Sequence, residues 1–143
     1  MALTQVIGSG IGQVTDIKLG GSGAANTLDD YEEGTWTPTH GGNNMTQNGG
    51  SSSYVKVGKV VTIIADVTSA SGSSTTNQIG GLPFTALGPH GSAHVSYTDA
   101  GNSPAAAYID GTTLNFIQNA STTGATITAS RRVIFIAVYY TSA

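Results

Sequence analysis

The chain lacks cysteine altogether and is poor in charge: five Lys or Arg and eight Asp or Glu among 143 residues. Zero cysteine excludes disulfides, thiolate zinc sites and a cysteine nucleophile. A secreted domain of this size is often stapled by disulfides, so their absence favours assembly in a reducing cytoplasm. The net charge is -3, and no clustered basic patch of the kind a nucleic-acid binder needs is present. Arg131-Arg132 is the one basic doublet, and it reads as a solubility device where a strand begins. No apolar run approaches the roughly 18 residues of a membrane helix, and no basic-then-apolar leader opens the chain.

What the chain does have is 20 glycines and 38% hydrophobic residues. Gly, Ser and Thr in abundance with so little charge would suit disorder. The hydrophobic residues, however, fall in β-branched and aromatic runs, which favours an ordered β protein. The length suits one domain plus a tail, with enough chain to bury a core unaided. In residues 1–26, Val6, Ile7, Ile11, Val14, Ile17 and Leu19 are scattered among six glycines. Helical spacing is not sustained, and such a segment cannot bury its own apolar groups. It reads either as a disordered tail or, the favoured reading, as an extended arm that orders against a partner.

Thr27 to Thr39 marks where the arm gives way to a domain. It holds four of the eight acidic residues, Asp29, Asp30, Glu32 and Glu33, and the single Trp36. Local rules predict one helical turn here, N-capped by Thr27 and ended by Gly34, with the acids near its positive end. Tyr31 and Trp36 are the expected anchors. His40 to Ser53 reads as a long polar loop. Tyr54–Val57 and Lys59–Thr68 read as strands. In the second, Val61, Ile63, Ala65 and Val67 share one face, and Val60, Thr62, Ile64, Asp66 and Thr68 the other. That second face is half apolar, as in a sandwich or at a subunit interface. Further strands are expected at Ser92–Thr98, on both sides of Asp110-Gly111, and at Gly124–Ser130. Asp-Gly between two strand-like runs is a strong hairpin signal. The unbroken Val133 to Tyr140 run predicts a last strand buried on both faces. The predicted fold class is all-β: an antiparallel β-sandwich or jelly-roll-like domain over residues 27–143, with the extended N-terminal arm before it.

Ala25-Asn26-Thr27 with the following LDDYEEGTWTPT resembles a segment near the start of the C-terminal domain of many bacteriophage tail fibres and related virion-surface proteins. Tyr54-Val55-Lys56-Val57-Gly58-Lys59-Val60-Val61 and Ile79-Gly80-Gly81-Leu82-Pro83-Phe84 are similar to later family motifs and come in the same order. The resemblance covers about Ala25 to the C-terminus. It implies a homotrimeric β-domain on a phage particle, with Asp29, Asp30, Tyr31, Glu32, Glu33 and Trp36 as a domain-entry motif that touches a neighbouring chain.

No constellation points to catalysis, a metal or another cofactor. The acidic residues form no Asp-x-Asn-x-Asp-Gly calcium loop and no pair fixed across a cleft. His90 and His94 are four apart on an expected strand, roughly 13 Å, too far to share one ion. There is no Gly-x-Ser-x-Gly elbow. Tyr97, Tyr108, Tyr139 and Tyr140 offer amphipathic surfaces suited to packing, interfaces or sugar stacking. The expectation is a non-enzymatic structural protein of the virion surface, assembled in the host cytoplasm. One reading is a capsid decoration, or cement, protein whose arm binds the major capsid protein through Val6, Ile7, Ile11, Val14, Ile17 and Leu19. The other is a receptor-binding fibre tip that contacts tail or fibre proteins and a host-surface glycan or protein. Only about 26 residues precede the motif, which favours the first.

Overall fold

The computed structural model describes residues 17–18, 27–28, 30–100, 106–118 and 125–142. Among these there is no helix, and the strands pair antiparallel throughout. Nine of them form one sheet that curls into a half-barrel. Its path runs β3 (Tyr31–Thr35), β7 (Ser53–Val57), β8 (Val60–Thr68), β13 (Arg132–Thr141), β10 (Ala86–Thr98), β11 (Ala106–Asp110), β12 (Thr113–Ile117) and β9 (Gln78–Ile79). The ninth, β6 (Thr46–Gln47), pairs with the far end of β8. Two small ladders stand apart from this path: β4 (Thr39–His40) with β5 (Asn43–Asn44), and β1 (Ile17–Lys18) with β2 (Thr27–Leu28).

Period-2 alternation decides which side of the sheet becomes core. On β8, Val61, Ile63, Ala65 and Val67 are buried; on β13, Val133, Phe135, Ala137 and Tyr139 are buried. Ala93, Ile109, Leu114 and Phe116 continue this face across β10 to β12. Trp36 enters just after β3 and sets its ring edge-on to Phe135, 6.3 Å between centroids, while Phe116 meets Phe135 from another side at 6.4 Å. Burial pushes the Tyr139 hydroxyl up to about 12. That hydroxyl accepts a hydrogen bond from the Phe84 N–H at 3.3 Å.

The curl has a local cause in β10. Its ladder with β13 shifts register between Ala86 and Gly91 and again between Val95 and Tyr97. Such irregularities bend a strand and raise its twist. Gly91 lies at the end of the first shift, and a Cβ there would lie 2.5 Å from the Cβ of Tyr139. Only a residue without a side chain lets β10 come this close to β13. At the hairpin between β11 and β12, Gly111 takes a φ of +57°, as the Asp-Gly pattern requires.

Three local expectations are corrected. The helical turn capped by Thr27 does not form; Thr27–Leu28 is β2 and Tyr31–Thr35 is β3, with Gly34 inside the strand. Five residue pairs to β7 outweigh the local dipole argument. Residues 125–130 keep their alternation, with Ala125 and Ile127 buried, but Ile127 makes a single bridge to Thr76 in place of a strand. The loop from His40 to Ser53 is not free: Met45 is in the core, and Gln47 accepts hydrogen bonds from the Ser52 N–H and hydroxyl at 3.0 and 2.7 Å. Tyr139 belongs to the core, whereas Tyr97, Tyr108 and Tyr140 are exposed.

His40, at the head of the stretch read as a polar loop, is also buried. Its Nδ1 is 2.9 Å from the Ser69 hydroxyl and its Nε2 is 3.4 Å from the Thr76 carbonyl. Burial lowers its pKa below the usual 6.5, with the bond to Thr76 opposing the shift. The folded state therefore prefers neutral His40. That stability is fully present above the unfolded pKa of 6.5 and is lost as pH falls below it. The urea midpoint is expected to drop between pH 7.5 and pH 5.5, and a His40→Leu variant to show a flatter profile over that interval. Equal slopes in the two proteins would show that His40 does not titrate against folding.

Candidate functional site: an open apolar sheet face

The same alternation that builds the core sends a second set of side chains to the outer side of the sheet. The register aligns them in rows. One row runs Tyr31, Val57, Val60, Tyr140 across β3, β7, β8 and β13. The next runs Glu33, Val55, Thr62, Val138, Ser92, Tyr108 and continues to the buried Asn115 on β12. A third runs Thr35, Ser53, Ile64, Ile136, His94, Ala106. Nothing among the described residues covers this face. Tyr140 is 52% exposed, Ile64 49% and Ile136 44%. The expectation that the last strand is buried on both sides is thus met on the inner side alone.

One end of the face is closed by an ion pair. Asp66 and Arg132 meet through two contacts, Nε to Oδ1 at 2.7 Å and the second guanidinium nitrogen to Oδ2 at 2.5 Å. The Arg132 hydrogen bonds hold the Asp66 carboxyl below its usual value; partial burial opposes this and Asn48 adds to it. The guanidinium also lies 5.7 Å from the Tyr97 ring centre. Beside this pair is a shallow depression of about 300 Å³, floored by Ile64, Ile134 and Ile136 and edged by Gly49, Gly50 and Ser96.

The acidic stretch sits at the other edge. Asp30 pairs with Lys56, which is buried and stacks 5.6 Å from the centre of the Phe84 ring. Glu32 accepts from the Tyr54 hydroxyl and Glu33 from the Tyr31 hydroxyl, both at 2.8 Å. These bonds raise both tyrosine pKa values. Tyr31 projects onto the open face, while Trp36 is buried. Asp29 lies outside the described residues, as do Val6, Ile7, Ile11, Val14 and Leu19. Ile17 is placed by its backbone alone, in β1. Among the described residues, no three His, Cys, Asp or Glu gather as metal ligands. Nor, among these residues, is any helix long and apolar enough to cross a membrane.

A second depression, about 350 Å³ and polar, lies between Thr39, Ser74, Thr76, Gln78 and Thr113. The two concavities differ in chemistry: the first is aliphatic, the second offers hydroxyls and an amide.

Sequence reasoning singled out Tyr97, Tyr108 and Tyr140 of the open face and read the Val60 and Ile64 side of β8 as a sandwich or subunit interface, but expected the Ile136 and Val138 side of the last strand to be buried. The signal was present in the half-apolar second face of β8 and the unbroken Val133 to Tyr140 run. Comparison with family models, with curated proteins and with solved structures finds no match to this chain.

Proposed function

We propose that this chain is a structural protein of a bacteriophage particle, a capsid decoration protein that works as a homotrimer. The β-domain of residues 27–143 projects from the shell, and the arm of residues 1–26 holds the major capsid protein. The observation that carries this reading is the open sheet face: a domain with this much uncovered apolar surface is completed by assembly. The resemblance of Ala25 to Thr39 to virion-surface proteins adds the setting. Binding assembled shell and not free subunits would stabilise the lattice by linkage. Repeated arm contacts at symmetric copies would add through avidity. Fully extended, 26 residues reach at most about 90 Å, enough to span neighbouring capsid subunits. Removing residues 1–26 is expected to leave a folded domain that no longer cosediments with capsids. Full decoration by the truncated protein would refute the arm as the clamp.

One observation favours a receptor-binding tip instead. The polar depression near Thr39, Thr76 and Gln78 suits a hydroxyl-rich ligand such as a host glycan. Glycan binding lost on Gln78→Ala, with no cosedimentation of the full chain, would support that second reading.

A further inference from the structure

We infer that the outer face of the curled sheet, centred on β8 and β13, is the surface through which copies of this chain bind each other. This names the partner of the site described above, and it rests on the structural-protein reading only in asking that the protein act as an assembly.

Three observations choose a second copy as the occupant. The first is area. Eleven large apolar side chains outside the core on β3, β7, β8, β10, β11 and β13 are between 36% and 57% exposed. Together they present on the order of 800 Å² of surface, tyrosine hydroxyls included. A typical monomer's largest patch is about 300–600 Å², whereas each side of a standard specific interface buries about 800 Å².

The second is charge. The face carries little charge. Asp66 and Arg132 satisfy each other at one end, and Glu33, at the opposite edge, keeps its negative charge while accepting the Tyr31 hydroxyl bond. Across the aliphatic centre between them two identical surfaces meet without like-charge repulsion, which a strongly basic or acidic face would forbid. An anionic lipid surface finds no cationic cluster here, since Arg132 is already paired.

The third is shape and residue type. Val57, Val60, Ile64, Ile136 and Val138 form a contiguous aliphatic centre, and tyrosines stand at its margins. The aliphatic depression beside Ile64 and Ile136 gives a projecting ring of a second copy somewhere to seat. An apolar centre with aromatic margins is the anatomy of a protein–protein interface.

The test is sedimentation equilibrium of the full chain over roughly 1–100 μM, a range set by typical assembly affinities. The full chain is expected to show an integral multiple of its 14.4 kDa mass. Ile136→Glu and Val138→Glu change exposed positions, so both are expected to keep the far-UV spectrum and thermal unfolding of the parent. Each should raise the dissociation concentration at least about tenfold. Tyr140→Ser is the milder companion, expected to weaken association without adding charge, should either Glu variant fold poorly. A 14.4 kDa species at every concentration would overturn the inference, as would variants that fold and associate like the parent. Capsid binding plays no part in this readout, so failure of the decoration reading and failure of this interface are told apart.

Discussion

Trp36→Ala is expected to cost the domain about 3–5 kcal/mol, the range for removing a buried aromatic. Trp36 is 6% exposed and packs edge-on against Phe135, which in turn meets Phe116. Its removal would leave a cavity where three segments converge. For a domain of this size the loss should lower the melting temperature by more than about 10 °C. Among the described residues the indole N–H has no hydrogen-bond partner. Trp36→Phe therefore forfeits no polar contact and should cost far less, about 1 kcal/mol for the lost volume. An unchanged melting temperature in the alanine variant would show that the ring is not a core anchor. Equal losses in the two variants would show that the N–H is satisfied in solution.

Asp30→Ala is expected to destabilise the domain by about 2–3 kcal/mol, because it strands a buried ammonium group. The Lys56 side chain is 7% exposed and that of Asp30 36%. The partial exposure of Asp30 places the loss at or below the low end of what breaking a fully buried pair costs. Lys56→Met keeps the chain length against Phe84 and frees a carboxylate that water can reach. It should therefore cost less than Asp30→Ala, and the double variant should lie close to Lys56→Met alone. A double-mutant cycle by urea denaturation measures this directly. Additive losses would show that the two groups are not coupled.

Much of this architecture was legible where the information is local. The alternation of Val61, Ile63, Ala65 and Val67 located one buried face of β8 correctly, because a strand's period is fixed by its backbone. Asp110-Gly111 located a hairpin because few residues tolerate a positive φ. Pairing over long separations has no such local mark. Nothing near Val133 to Tyr140 says that the last strand lies between β8 and β10. The Asp29 to Gly34 stretch shows the opposite failure. Its acids and its glycine satisfy rules for a helical turn, yet Tyr31 pairs with Val57 and Thr35 with Ser53. Side-chain bonds from Tyr31, Tyr54 and Lys56 then engage its carboxylates.

The candidate site was only half legible for a related reason. A half-apolar strand face can be covered by a second layer of the same chain or by another molecule. The sequence pattern is the same in both cases. Only the register, which lines up Val60 with Tyr140 and Ile64 with Ile136, together with the exposure of those residues, distinguishes them. His40 was illegible because its burial depends on Ser69 and Thr76, some thirty residues away.

The decoration role proposed above is tested by the copy number of this chain per particle, measured by quantitative mass spectrometry against the major capsid protein. Hundreds of copies, in step with the capsid lattice, are expected. A few copies to a few tens would refute decoration and favour a position on the tail.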